Sequence, residues 1–224
     1  MRVLLAAIIA GMLAGAVAGA FQIWRVTPLI IAAEVYENQP DAGSAQHDAA
    51  TAPEWAPEDG FERIAYTLLA TLIMGVGFAF VLAAAVMFTG RAITTQNGVI
   101  WGLAGFLVFT LAPTTGLAPE LPGMPGADLL ARQTWWWGTA IATGGGIALI
   151  MLQRRLGLRT LGAGLIALPH IIGAPLPDAH DSAEPAALAA SFAANSLAMM
   201  ALFWIVLGLT LGWAMSRTPA PAQS

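Results

Sequence analysis

The sequence predicts an all-α integral membrane protein, a bundle of about six transmembrane helices. Three observations carry that prediction. Of 224 residues, 58 % are hydrophobic and only 10 % charged, and the mean hydropathy is +0.72. A soluble domain carries roughly 25 % charge, so a water-soluble globule and a disordered chain are both excluded. The apolar residues come in runs near the roughly 20 residues that cross a bilayer core as a helix. The ionisable residues gather in the segments between those runs.

The first span covers residues 3–24 and can continue past Thr27-Pro28 to Ala33. Arg2, the apolar run and Ala18-Gly19-Ala20 also resemble a secretory signal, and cleavage there would leave five spans. Against cleavage, Gly11, Gly15 and Gly19 recur every fourth residue, a smooth groove for helix packing that a discarded peptide does not need. The other spans are 64–88, 99–112, 135–152, 158–173 and 186–214. Spans three and five are short. At about 1.5 Å per residue, span five reaches only roughly 24 Å. These two are expected as tilted helices with borrowed flanks, or as half-helices beside irregular backbone.

Placing the N-terminus in the cytoplasm sorts the charges. All 13 acidic residues and all three histidines then fall in the external segments 25–63, 113–134 and 174–185 or at their edges. Arg2, Arg91, Arg154, Arg155, Arg159 and Arg217 fall inside, and Arg25, Arg63 and Arg132 outside. The excess of arginine inside puts both termini in the cytoplasm. The order of spans suggests three outward-pointing helix hairpins. Asp59 precedes Arg63, and Asp128 precedes Arg132, by four residues at the starts of spans two and four. Both read as an acid at a helix start with an i,i+4 partner. Residues 1–217 form one polytopic domain, 38–53 a flexible external linker, and 218–224 a disordered cytoplasmic tail.

Several chemistries are excluded. With no cysteine there is no disulfide, thiolate metal site or thiol catalysis. With no lysine there is no Walker A loop, so this chain has no ATP site of that kind. No charge lies deep in a span, which argues against a buried carboxylate proton relay and against a membrane-embedded hydrolase. Nothing points to an enzyme or to a nucleic-acid partner.

What remains collects at the outer mouth. Glu58 and Asp59 precede span two, Glu120 lies between spans three and four, and Asp178 and His180 lie between spans five and six. Imidazole suits cobalt, nickel, zinc and copper, and carboxylates suit harder divalent cations. These residues could converge on one cation; the bland reading of each acid is a solvated face. His170, after Pro169 at the end of span five, sits in an apolar run and needs a partner there. It reads equally as a metal ligand or as a group hydrogen-bonded to a carbonyl of a neighbouring helix. For a transport path the candidates are Glu34, at the exit of span one, and Ser191, Asn195 and Met199, which share one helix face. The bland reading of the last three is interhelical hydrogen bonding with Met as filler.

Several segments carry a resemblance that runs nearly the length of the chain. They are Thr27-Pro28-Leu29-Ile30 to Glu34-Val35-Tyr36-Glu37, Trp55 to Gly60, Gly116 to Pro125, Arg132 to Trp136, Leu168 to Pro175, and Phe203-Trp204. In this order they resemble the predicted cobalt transporter subunit family CbtA. The resemblance implies a subunit of a bacterial inner-membrane cobalt uptake system serving cobalamin synthesis, with no permanently bound cofactor. It also implies a small CbtB-like partner with one span and a His-rich end. Families of this kind are often described with five spans, one fewer than counted here. The rival expectation is a non-transporting membrane scaffold or assembly subunit, which the absence of buried charge favours.

Overall fold

The computed structural model describes residues 1–37, 57, 58, 60–177 and 184–217, and every regular element among them is helical. Helix α1 (Arg2–Phe21) passes through a π-helical turn, Gln22–Val26, into α2 (Thr27–Glu37). Helix α3 spans Phe61–Thr89. Helix α4 (Gly98–Phe106) runs through a second π turn, Leu107–Leu111, into the short α5 (Ala112–Thr114). Then come α6 (Leu129–Leu152), α7 (Leu156–Ile172) and α8 (Ala186–Ser216). Four continuous helices are long and apolar enough to cross a membrane: Arg2–Tyr36, α3, α6 and α8. Gly98–Thr114 and α7 are shorter apolar helices, as the hydropathy of spans three and five implies.

Both π turns have one cause. The Thr27 N–H reaches back five residues to the Gln22 carbonyl, and the Ala112 N–H does the same to Leu107. In each case the next residue is a proline, Pro28 or Pro113. A proline inside a helix clashes with the carbonyl four residues back and brings no N–H. Widening the preceding turn accommodates the ring, so the helix continues. This is why span one runs on beyond residue 24.

Glycine decides which helices pair. Apolar burial drives little association inside lipid, so close backbone approach and packing must hold the bundle. A Cβ on Gly11 would stand 2.5 Å from the Val76 Cα, and one on Gly15 would stand 2.5 Å from the Thr71 carbonyl oxygen. The small residues Ala7, Ala10, Ala14 and Ala18 are fully buried, so α1 is the centre of the bundle, between α3 and α8. A second seam joins α4 to α8, where Gly98 and Gly102 meet the backbones of Gly208 and Trp204. A third joins α6 to α7 at Gly146 and Gly162. Packing therefore follows chain order for α1 and α3, but α4 lies along α8 and α6 along α7. Spans three and four still meet, Phe109 of the second π turn lying 6.2 Å from the Trp136 ring, but the closest seams are those where glycine faces match.

Trp204 locks the second seam. It is fully buried, its ring fits over Gly105, and it stacks on Phe109 at 5.8 Å and 10°. Its indole N–H donates to the Thr110 hydroxyl at 3.2 Å, which satisfies the polar end of an otherwise apolar ring. The second π turn carries both Phe109 and Thr110. Outside this core, Ile73, Ile100 and Ile141 are 64, 67 and 70 % exposed, an arrangement suited to lipid rather than water.

Two hydroxyls are left over. Thr139 and Thr143, one turn apart on α6, are buried, and their oxygens have no hydrogen-bond partner among the described residues. An unpaired buried hydroxyl costs about 1–3 kcal/mol. Thr139→Val and Thr143→Val should therefore leave thermal stability in detergent unchanged or raise it. A clear loss of stability in either variant would mean that the hydroxyl is paired after all.

Candidate metal site at the acidic end

The helices carry their charges at opposite ends. One end holds Glu34, Glu58, Glu62, Glu120, Asp128 and Glu184; the other holds Arg2, Arg91, Arg154, Arg155, Arg159 and Arg217. At the acidic end three segments far apart in sequence close on one another. Gly173 ends α7 with φ of +89°, a backbone region that glycine adopts without strain. Just beyond it Ala174 packs beside Gly116 and the Trp135 ring. The Trp135 indole N–H donates to the Pro169 carbonyl at 3.3 Å, and its ring meets His170 edge-on at 6.0 Å between centroids. Gly116, Trp135 and the 168–175 segment thus form one cluster.

His170 has a defined partner. Its Nδ1 lies 3.3 Å from the Thr115 hydroxyl oxygen, at the end of α5. That hydroxyl donates its one proton to the Ala112 carbonyl at 2.7 Å. With that proton so placed, the hydroxyl oxygen is an acceptor towards Nδ1, and the tautomer of the neutral ring that suits this contact carries its proton on Nδ1 and its lone pair on Nε2. The partner expected from a neighbouring helix is thus a hydroxyl rather than a carbonyl. His170 itself is exposed. Thr115 is the neighbour of His170 that sequence reading missed; nothing in the spacing of two residues 55 apart signals it.

The arginines claim two of the predicted acids. Arg132 pairs with Glu120 at 2.9 Å, and Gly126 lies so close that a Cβ there would stand 2.7 Å from Arg132 Nη1. Asp128 caps α6, accepting from the Ala131 N–H at 2.9 Å. The helix-start reading of Asp128 is thus right, but Arg132 reaches back to Glu120. Glu34 pairs with Arg63 at 2.8 Å, tying α2 to α3. The Glu58 backbone N–H donates to the Glu62 carboxylate at 2.9 Å, a contact local to the start of α3.

A cavity of about 440 Å³ opens between the 116–125 loop, Pro177 and the first turns of α8. Glu120 and Met124 line it, whereas His170 lies outside its lining. Asp59, Asp178 and His180 lie outside the described residues. Among the described residues, no three His, Cys, Asp or Glu gather closely enough to hold a metal ion.

The proposed path residues on α8 are engaged with their own helix. Ser191 donates to the Ala187 carbonyl at 2.7 Å and Asn195 to the Ser191 carbonyl at 2.8 Å. Arg25, in the first π turn, donates to the Asn195 side-chain oxygen at 3.3 Å, so Asn195 also bridges that turn and α8. Met199 packs against the apolar core.

No curated protein and no solved structure matches the chain. The sequence profile of the family described as probable cobalt transporter subunit (CbtA) matches residues 1–216. The Gly116–Pro125, Arg132–Trp136 and Leu168–Pro175 segments that carry the resemblance are those that converge around Trp135, and Phe203-Trp204 is the seam of α8. With four long and two shorter apolar helices among its described residues, this membrane protein belongs to the CbtA family of probable cobalt transporter subunits.

Proposed function

We propose that this chain is the membrane subunit through which cobalt, as a divalent cation, enters a bacterial cell across the inner membrane, and that His170 is its first protein ligand at the external, acidic end. The observation behind this reading is the Thr115–His170 pair. Metal-ligating histidines characteristically donate their other ring N–H to a fixed oxygen, which holds the tautomer and the ring. Here that oxygen is already in place, and Nε2 is left for a ligand. Glu120 and Glu58 at this end, with Asp59 and Asp178 of the same chain segments, supply a negative field that raises local cation concentration, and His180 is a further candidate ligand. Onward passage runs beside Glu34, Ser191, Asn195 and Met199.

The membrane potential supplies about 2.3 kcal/mol per charge per 100 mV. A divalent ion gains about 4.6 kcal/mol, roughly a thousandfold accumulation without ATP. The reading is of transport rather than catalysis, with a small single-span His-rich protein of the CbtB kind as partner delivering the ion. A second reading, a non-transporting assembly subunit, is favoured by the sealed glycine and tryptophan seams of the interior. Radiolabelled cobalt uptake by cells with and without this chain and its partner separates the two; uptake unchanged by removing this chain leaves the assembly role.

The orientation in this reading has its own test. The chain lacks cysteine, so single-cysteine variants need no background substitutions. Asp48→Cys and Asp181→Cys should react with an impermeant thiol reagent in intact cells, and Leu156→Cys should not. Labelling of Leu156→Cys from outside would invert the bundle.

A further inference from the structure

Between α3, α4 and α6 lies an open groove of about 630 Å³, lined almost wholly by apolar side chains and floored by Phe109 and Trp204. Helix α6 lines the groove from Trp137 to Leu152, but α3 contributes only its last turns, from Val81 to Thr89, so the groove has walls on all three sides only towards the basic end. There its character changes. Arg91 and Asn97 line its mouth, and Arg91 donates to the Met151 carbonyl at 3.0 Å. That bond ties Arg91 to the end of α6, from which Arg154 and Arg155 follow at once, with Arg159 one turn into α7. All four arginines are exposed. No acid lies in residues 63–119 or 129–177, the segments that build this end of the groove.

We propose that this groove binds one anionic phospholipid, with an acyl chain along the apolar channel and its phosphate at Arg91 and the adjoining Arg154–Arg155 turn. The charge pattern selects this occupant. A basic site between transmembrane helices, open to the bilayer at headgroup depth, attracts anionic headgroups. The apolar channel below it faces hydrocarbon. A spanning helix of a partner would need walls along the full bilayer core of about 30 Å. The stretch of α3 from Val81 to Thr89 supplies only about 12 Å of wall on that side. Guanidinium groups match phosphate oxygens in a two-pronged geometry that zwitterionic lipids partly cancel with their own cation. The inference does not depend on the transport reading, since it concerns the end of the bundle opposite His170.

The test uses the full chain purified in mild detergent and observed by native mass spectrometry, with phosphatidylglycerol or phosphatidylcholine added at equal concentration. The wild type should hold one phosphatidylglycerol with at least a tenfold preference over phosphatidylcholine. One arginine beside an anionic surface is worth roughly fivefold in affinity, so Arg91→Gln should lower that preference about fivefold. Arg217→Gln, at the same end but outside the groove lining, should leave it unchanged. Ala148→Trp fills the channel, and should lose the bound lipid while keeping the wild-type melting temperature. Should Arg91→Gln fail to fold, the Ala148→Trp comparison and the headgroup preference of the wild type still decide the matter. Equal binding of the two lipids, undiminished lipid on Ala148→Trp, or a photo-crosslinker at Ile141 capturing a partner's helix instead of lipid would each overturn the proposal.

Discussion

Replacing Gly15 by leucine should remove nearly all folded protein recovered in mild detergent. The Cβ alone would stand 2.5 Å from the Thr71 carbonyl oxygen and 2.9 Å from the Leu72 Cα. Both are backbone atoms of α3, so no side chain can rotate away to make room. Overpacking a well-packed contact costs about 1–3 kcal/mol, occasionally more; with backbone on both sides, the upper end or beyond is expected. Total stabilities are only about 5–15 kcal/mol. Helix α1 is also the element that α3 and α8 share, so separating it from α3 loosens the whole bundle. Gly77→Leu provides the control. Gly77 is on α3, two residues from Gly75, and a Cβ there meets nothing within 4 Å. It should give wild-type yield and melting temperature. Size-exclusion profiles and thermal unfolding of the two variants, expressed in parallel, check the pair. Equal behaviour of both would place Gly15 against lipid.

The contrast between Gly15 and Gly77 shows what was legible in the sequence. A fourth-residue rhythm of glycine marks a face, and in α1 that rhythm identifies the seam. The same rhythm exists at Gly98 and Gly102 and at Gly208 and Gly212, yet it lies at the edge of a span and within a long apolar run, where hydropathy draws the eye to length. The helices themselves follow from hydropathy because lipid requires helical hydrogen bonding along every crossing. The π turns do not follow from it, since a turn widened by one residue leaves composition untouched. Their trace is the proline that comes directly after, Pro28 or Pro113.

The site was legible in a different measure. The segments that meet at Trp135 could be picked out as a set, but not which atoms touch. Arg132 is four residues from Asp128, the spacing of a helix-face pair, and nevertheless pairs with Glu120 across a loop rich in glycine and proline. Local spacing predicts pairs within one helix; it is silent on a loop that folds back over the helix start. Thr115 is the sharper case. Its hydroxyl bonds the Ala112 carbonyl within its own turn, and only the approach of α7 brings that oxygen to His170.

That arrangement makes His170→Ala the most consequential change at the acidic end. If Nε2 of His170 is the first ligand of the incoming ion, its removal should cut cobalt uptake at limiting concentration by at least tenfold, with folded protein at wild-type level. Thr115→Val keeps the shape of the neighbour but removes the oxygen that holds the Nδ1 proton. Loss of such an outer partner typically costs 10–100-fold in metal affinity, so uptake should fall at limiting cobalt and recover at high cobalt. Glu120→Gln and Asp59→Asn remove one charge each and should give intermediate losses. His47→Ala, in the 38–53 segment, should have little effect. A loss in the Thr115 variant supports the ligand role, since a histidine that only packs against Trp135 gains nothing from a fixed tautomer. Normal uptake by His170→Ala at limiting cobalt would make the ring a packing group, and normal uptake by Thr115→Val alone would leave His170 a ligand whose ring is held by Trp135 and Pro169.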